Sequence, residues 1–543
     1  MNMLEFIRDD GIRETLPEKT GIRELVRNQV DGDQIYAVVL NGKLHDLNYI
    51  PRQGGSLAYV RSDSEIGKMI YERTLLFVFI AAVYTLAPDA HVNIEHTLSS
   101  GQYCEVARRP FLTPHDVSLI DAKMRDIIAA KTKITRLVMD TKTVIDHFRK
   151  QGMTNKAELL ACRKSKKSSL YSLCGCEDYF YGILLPDAGY VTHFALRYYA
   201  PGVWLSPQPY FVNQQKMFKV FQEYEHWGKA IGVSNVAQLN QKIAQGKMDE
   251  LVLMCETMME KQLTKLAAEI VEKRPATKFI LIAGPSSAGK TTFSKRLAIH
   301  LKILGVESEP ISMDDFYKNR EDTPKLPDGS YDFESIHAID LKLFEDTMRK
   351  LQQRLPVKMP HFNFKTGLSE TSDRTICLKE NQVLIMEGIH GLNPYISEAL
   401  SADAVFKIYI NALTHLNLDE HNRIPTSDYR LIRRITRDHQ TRGWSAADTI
   451  SFWPNVRNGE DRNIYPYQES ADYIFNTSMV YELAVLKKLA LPLLNDVKKD
   501  SDQYLEANRL KKLLAYFADG ASDAIPRYSI LAEFVGNSIL DVS

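Results

Sequence analysis

The chain has 543 residues, of which 68 are basic and 68 acidic, so its formal net charge is zero while 44% of its residues are hydrophobic. That balance describes a globular protein of about three or four domains with room for sizeable cores, and it argues against a dedicated nucleic-acid binder, whose surface would carry a basic excess. Six cysteines (Cys104, Cys162, Cys174, Cys176, Cys255 and Cys377) follow no zinc spacing and read as reduced thiols. The opening residues lack a signal pattern, and the longest apolar run, around Leu75 to Val83, is too short and too polar-flanked to span a bilayer. A cytoplasmic protein with no membrane partner is the expectation.

Residues 1–61 alternate short β-like runs such as Ala37 to Leu40 with the turn signals Asn41-Gly42 and Gly54-Gly55, and include one helix near Ile22 to Asn28. They predict a small sheet-rich domain. A long helical pattern begins at Asp63, Pro114 to Lys150 is helix-rich, and Cys174 to Trp204 is aromatic and β-like, so residues 62–205 read as a second, α+β domain. Residues 206–273 have helical periodicity broken at Gly232 and Gly246 and read as a connector. From Lys278 an α/β pattern sets in, predicting a doubly wound parallel sheet across 274–500. The tail, 501–543, carries a helical portion from Tyr504 to Phe517 and an apolar run from Ile530 to Val535, which either packs back on the preceding domain or meets a partner.

Gly284-Pro285-Ser286-Ser287-Ala288-Gly289-Lys290-Thr291 fits the spacing G-x-x-x-x-G-K-[ST], with an apolar strand-like run before it (Lys278 to Ala283) and a helical pattern after it (Thr292 to Leu304). In that context small residues let backbone N–H groups curl around phosphate oxygens at a helix N-terminus. The pattern calls for a nucleoside triphosphate, with Lys290 reaching its β- and γ-phosphates and Thr291 holding Mg²⁺. Downstream, Ile311 to Tyr317 puts Asp314 and Asp315 after a second strand, and Val383 to Gly388 is a buried strand that ends in Glu387, where a nucleotide-bound Mg²⁺ would need an acid. Arg430, Arg433, Arg434 and Arg437 fall at i, i+3, i+4 and i+7, one cationic helical face able to close over a transferring phosphoryl group.

Taken in that order, these segments resemble the uridine kinase branch of the P-loop kinases, from about Lys278 to Leu494. The resemblance implies ATP and Mg²⁺ as cofactors, bound by residues 284–291 together with Thr292, and a nucleoside as the small-molecule substrate. It makes Asp314 the general base and Mg²⁺-linked acid, with Asp315 its rival, Glu387 a further Mg²⁺-associated acid, and Arg433, Arg434 and Arg437 lid residues. Glu334 falls on the acid that holds the sugar hydroxyls, Phe362 on the ring against the base, and Arg430 is placed with the substrate groups. The chain departs from the family at Asn363, where the family has an acid, and at Gly367, where it has a base-contacting histidine. A phosphoribulokinase-like or pantothenate-kinase-like acceptor is the alternative within the enzyme class.

Residues 1 to about 205 resemble the N-terminal region of threonyl-tRNA synthetase, a ubiquitin-like TGS domain followed by the domain that hydrolyses mischarged tRNA. The family's H-x-x-x-H and C-x-x-x-H positions fall here on Arg73 and Phe77, and on Phe180 and Leu184. Those side chains cannot replace imidazoles in metal binding or proton transfer, so the fold is expected without the editing chemistry. RNA binding by this region, a regulatory nucleotide hydrolase and a homo-oligomer are left open by the sequence.

Overall fold

Buried and exposed side chains alternate along the first strands, and in the computed structural model these pair into one mixed sheet. The structure describes residues 3–540 apart from 28, 30–33, 109, 274–275, 327–328, 330, 364–365, 401 and 521–522. β1 (Met3–Arg8), β2 (Arg13–Pro17), β3 (Ile35–Leu40), β4 (Lys43–His45) and β5 (Gly55–Arg61) take the order β2-β1-β5-β3-β4, with α1 (Arg23–Arg27) packed on one face. Only β1 and β5 run parallel, and Phe6, Leu16, Ile22, Val38 and Leu57 close the core between sheet and helix. Asn28, the last residue of the expected helix, lies outside the described residues.

The second unit is α+β. It comprises α2 (Glu65–Leu86), β6 (His91–Leu98), β7 (Gly101–Ala107), α3 (Pro114–Ala129), β8 (Thr135–Asp140), α4 (Thr141–Lys150), α5 (Thr154–Ala161), β9 (Lys167–Leu173), β10 (Cys176–Asp178), β11 (Ala195–Tyr199) and β12 (Gly202–Ser206). Its two sheets have the orders β10-β9-β8 and β11-β12-β7-β6. The apolar run in α2 extends further than the sequence suggested: the helix has 22 residues and, by length and composition, could cross a bilayer. It does not need one here, because 61% of that apolar window is buried inside the protein, with Phe77, Val78, Phe79 and Ile80 wholly covered.

The connector forms α6 (Gln215–Ile231), α7 (Val236–Ala244) and α8 (Met248–Glu272). Gly232 ends α6 in the left-handed region at φ +69°, and Gly246 turns at φ +70° between α7 and α8. Both breaks need a residue without a Cβ penalty at positive φ.

The remaining elements are β13 (Phe279–Ala283), α9 (Lys290–Ile303), β14 (Glu307–Ser312), α10 (Leu341–Gln352), the hairpin β15 (Val357–Asn363) and β16 (Leu368–Ile376), β17 (Gln382–Glu387), α11 (Pro394–Glu398), β18 (Val405–Asn411), α12 (Thr426–Arg442), α13 (Ala446–Asn463), β19 (Tyr473–Asn476), α14 (Glu482–Asn495), α15 (Tyr504–Leu514) and α16 (Ala532–Val535). β14-β17-β13-β18-β19 make an all-parallel sheet. Its central strands are near-continuously apolar because helices cover both faces. The largest core runs from Val144 and Phe148 of α4 through Leu263 and Leu266 of α8 and Ile280 and Ile282 of β13 to Leu510, Ile530 and Phe534 of the tail. The tail therefore packs back on the parallel-sheet unit.

Candidate active site

β13 is buried along its whole length, and Gly284 follows it because a Cβ there would lie 2.3 Å from the Ile410 carbonyl oxygen of β18. Beyond it Ser287 and Gly289 both take positive φ, +60° and +84°, and α9 starts at Lys290. Such a turn points successive N–H groups inward at the positive end of a helix, a cradle for anionic oxygens. Lys290 Nζ donates to the carbonyl oxygens of Gly284 and Pro285 at 3.0 and 3.4 Å, Thr291 Oγ1 to Glu387 at 3.2 Å, and Thr292 Oγ1 to Glu533 at 2.7 Å.

Two acids converge on Lys290 from the carboxyl edge of the sheet. Glu387 ends β17, and burial pushes its carboxyl up to about 7, opposed by Lys290 and reinforced by Asp314. Asp314 sits in the 3₁₀ turn after β14; loss of solvent raises it too, with Lys290 pulling it down and Asp315 pushing it up. The adjacent Asp315 faces elsewhere, its carboxylate 3.1 Å from Nδ1 of the exposed His361. Thr291 Oγ1 and the Glu387 carboxylate are hard oxygen donors of the kind Mg²⁺ takes at a nucleotide site.

The arginines of α12 share one side of the helix, but their burial differs from that of a mobile lid. Arg430 and Arg433 are wholly buried. Arg430 makes two bonds to Glu460 and one to the Ser286 carbonyl at 2.9 Å, and Arg433 is held by Glu482, the Thr477 carbonyl at 2.9 Å and the Ser287 carbonyl at 3.2 Å. Glu460 also accepts the Ser286 N–H at 3.0 Å. Arg434 donates to Ser286 Oγ at 2.7 Å and to Asp438, and burial lowers its pKa to about 10. Arg437 forks onto Asp438 at 2.7 Å. These contacts fix the outer rim of the loop. Glu460, Glu482, Thr477 and Glu533 escaped the sequence reading; wholly buried guanidinium groups demand anions, but nothing local says which acids supply them.

In the second unit the fold gathers Arg73, Phe77, Phe180 and Leu184. The Phe77 and Phe180 rings meet edge-on with centroids 5.0 Å apart, both are buried, and Leu184 joins the same core. Arg73 donates to the Ile183 carbonyl at 2.8 Å, and its guanidinium lies so close to Gly182 that a Cβ there would be 2.6 Å from it. The space is filled by side chains that offer no metal ligand and no general base, Arg73 being a protonated guanidinium.

The family comparison agrees with the loop geometry. Residues 279–484 match the phosphoribulokinase / uridine kinase family. Among solved structures the chain is similar to a possible uridine kinase from Bacillus stearothermophilus (17% identity, 40% of this chain, 100% of that chain, TM-score 0.28) and to a putative fructose transport system kinase from Silicibacter sp. TM1040 (18%, 39% and 98%, TM-score 0.29). The N-terminal region is similar to threonine–tRNA ligases: 30% identical over 166 residues to that of Legionella pneumophila strain Corby, and 30% over 207 residues to that of Geobacter sp. strain M21. These alignments take in 30% and 38% of this chain but only 26% and 32% of the ligases, so the chain spans about a quarter to a third of the relatives' length.

On the acceptor side of the kinase-family segment, Glu334 lies under α13, with Gly459 so close that a Cβ there would come within 2.5 Å of it. Burial first, then Glu460, pushes the Glu334 carboxyl up to about 7, while Arg434 opposes the shift. Phe362, expected against a base, is 1% exposed and meets Tyr317 edge-on at 5.5 Å. Gly367 has φ +75°, and a Cβ there would lie 2.7 Å from Arg320 Nε. A larger side chain here would be strained at that φ and would have to displace Arg320. Residues 364–365 of the same stretch lie outside the described residues.

Proposed function

We propose that the kinase-family segment transfers the γ-phosphoryl group of ATP to a hydroxyl of a small molecule, with the 5′-hydroxyl of a nucleoside as the first acceptor to test. The observation that carries this reading is the convergence of Lys290, Asp314, Thr291 and Glu387 on one loop at the ends of adjacent parallel strands. In this reading the loop amides and Lys290 hold the phosphates, and Asp314 takes the proton of the attacking hydroxyl. Thr291 and Glu387 would hold Mg²⁺, which supplies charge neutralisation between the β- and γ-phosphates. Arg434, anchored on Ser286, stands where it meets charge at the loop's rim.

The missing side chain at Gly367, held at positive φ beside Arg320, and the buried ring of Phe362 favour a second reading, in which the acceptor is not read through a base: a sugar phosphate or pantothenate. Turnover of ATP with uridine, cytidine, adenosine, ribulose 5-phosphate and pantothenate separates the two. Lys290→Ala is the control, expected to lose transition-state stabilisation worth about 3–4 kcal/mol or more; a variant that keeps half the wild-type rate would place the chemistry elsewhere.

For the synthetase-like region we propose a supporting role without editing, in a reducing compartment that suits six free thiols. Seryl-tRNA mischarged on a threonine acceptor should show no hydrolysis above background, and deacylation that survives Lys290→Ala would contradict this.

A further inference from the structure

The C-terminal segment touches the end of the loop, the first turn of α9 and α12. Ile530 presses on Gly289 so closely that a Cβ on that glycine would be 2.5 Å from its Cγ2. Glu533 accepts the Thr292 hydroxyl hydrogen at 2.7 Å. Phe534 lays its ring over the Arg433 guanidinium, 4.7 Å from ring centre to Cζ, and its carbonyl accepts from Gln440 of α12. Thr292, Ile530 and Phe534 are all 0% exposed, so solvent does not reach this flank of the loop.

We infer that residues 527–537 form an autoinhibitory strap over the nucleotide site, with the Glu533 carboxylate in the place of a nucleotide phosphate and Phe534 and Ile530 in the place of the nucleoside attached to it. The inference rests on the proposed nucleotide site. Its physical basis is competition for a single donor. A threonine hydroxyl has one hydrogen to give, and the first turn of α9, with its unpaired N–H groups, attracts whichever anion is nearest. Glu533 holds the Thr292 hydroxyl hydrogen now, beside Glu387 on Thr291. A triphosphate brings more negative charge to the same groups, so the two carboxylate and phosphate occupants repel each other and exclude each other sterically through Ile530 and Phe534. By linkage, whatever nucleotide binding does to the strap, release of the strap does equally to nucleotide affinity. A strap closed nine-tenths of the time weakens apparent nucleotide binding about tenfold.

The test uses the full-length protein with the Mg²⁺ complex of a non-hydrolysable ATP analogue. Hydrogen exchange at 527–537 should speed up on nucleotide addition, and Glu533→Gln, which keeps the shape and removes the charge, should lower the KM for ATP about tenfold. Phe534→Ala should act in the same direction, with thermal melting to confirm that it folds. Nucleotide binding that leaves 527–537 as protected as before, or a Glu533→Gln enzyme with unchanged or raised KM, overturns the strap while the phosphoryl-transfer reading stands. Failure of both wild type and Glu533→Gln to bind the analogue overturns the two together.

Discussion

Glu387 is at once the acid best placed for Mg²⁺ and a buried carboxyl whose ionised form is costly. Its folded pKa of about 7 exceeds the ordinary value of 4.5 because burial disfavours the carboxylate. A carboxyl raised in this way takes up its proton more readily folded than unfolded, so its favourable contribution is complete below 4.5 and is lost as pH rises through about 7. Glu387→Gln should therefore raise the Tm of the nucleotide-free protein at pH 8, by about 1 °C per kcal/mol relieved if the chain unfolds as one unit, and change it little at pH 4. An equal shift at both pH values would remove titration of Glu387 from the explanation. Asp314 and Asp315 are neighbours in sequence with different surroundings, the first in the field of Lys290 and the second paired with His361. Asp314→Asn should lower kcat by ~10²-fold or more, the usual scale for a general base, and Asp315→Asn should do less. The acidic limb of the wild-type pH profile should have its midpoint above 3.8, since Asp314 is raised from that value. The reverse order of the two variants would move the base to Asp315.

At the scale of elements, α12 shows what periodicity reveals and what it omits. The spacing i, i+3, i+4, i+7 correctly puts four arginines along one side of a helix. It cannot show that Arg430 and Arg433 are spent on Glu460 of α13 and Glu482 of α14, 30 and 49 residues further on. The phosphate loop was legible because strand, glycine turn and helix are contiguous and each obeys a local rule. β8 was not, because its side chains are exposed almost throughout, only Met139 being half-buried, and so leave no two-residue alternation to read. The buried pairs also carry a stability consequence. Removing one partner of a buried pair strands the other charge without water, typically about 3–5 kcal/mol. Glu482→Ala should therefore destabilise by that order in urea unfolding, while Arg433→Met combined with Glu482→Leu should cost much less. A single variant that costs under about 1 kcal/mol would mean that Arg433 finds another anion.

The two halves of the chain are joined through buried charge. The segment between β18 and α12 enters the synthetase-like unit: the Ile94 N–H donates to the Glu420 carbonyl at 2.8 Å, Asn417 donates to the Ile94 carbonyl at 3.0 Å, and the Tyr181 N–H donates to Asn422 at 2.7 Å. At the centre Lys156 of α5, wholly buried, pairs with Asp178, which lies 2.7 Å from Nδ1 of His421. Burial alone would raise Asp178, but Lys156 and His421 outweigh it and hold its pKa down at about 2. Asp178's contribution is thus complete above 3.8 and is lost as pH falls through about 2, while that of Lys156, raised by the same pairing, is complete below 10.5 and is lost only at more alkaline pH. No sequence pattern reports this junction, since Lys156, Asp178 and His421 belong to segments that resemble different families. A core continuous from α4 to the tail through the parallel sheet, with a charge network bridging the same halves, predicts that they unfold as one cooperative unit rather than as two beads. Lys156→Met should leave Asp178 buried without its cation and cost about 3–5 kcal/mol, and the loss should appear in both halves together. The measurement is urea unfolding followed once by tryptophan fluorescence and once by hydrogen exchange at β13 and at α5. Coincident midpoints that move down together in Lys156→Met support one unit. A variant in which α5 opens early while β13 keeps its wild-type midpoint would show instead that the kinase-family segment stands on its own.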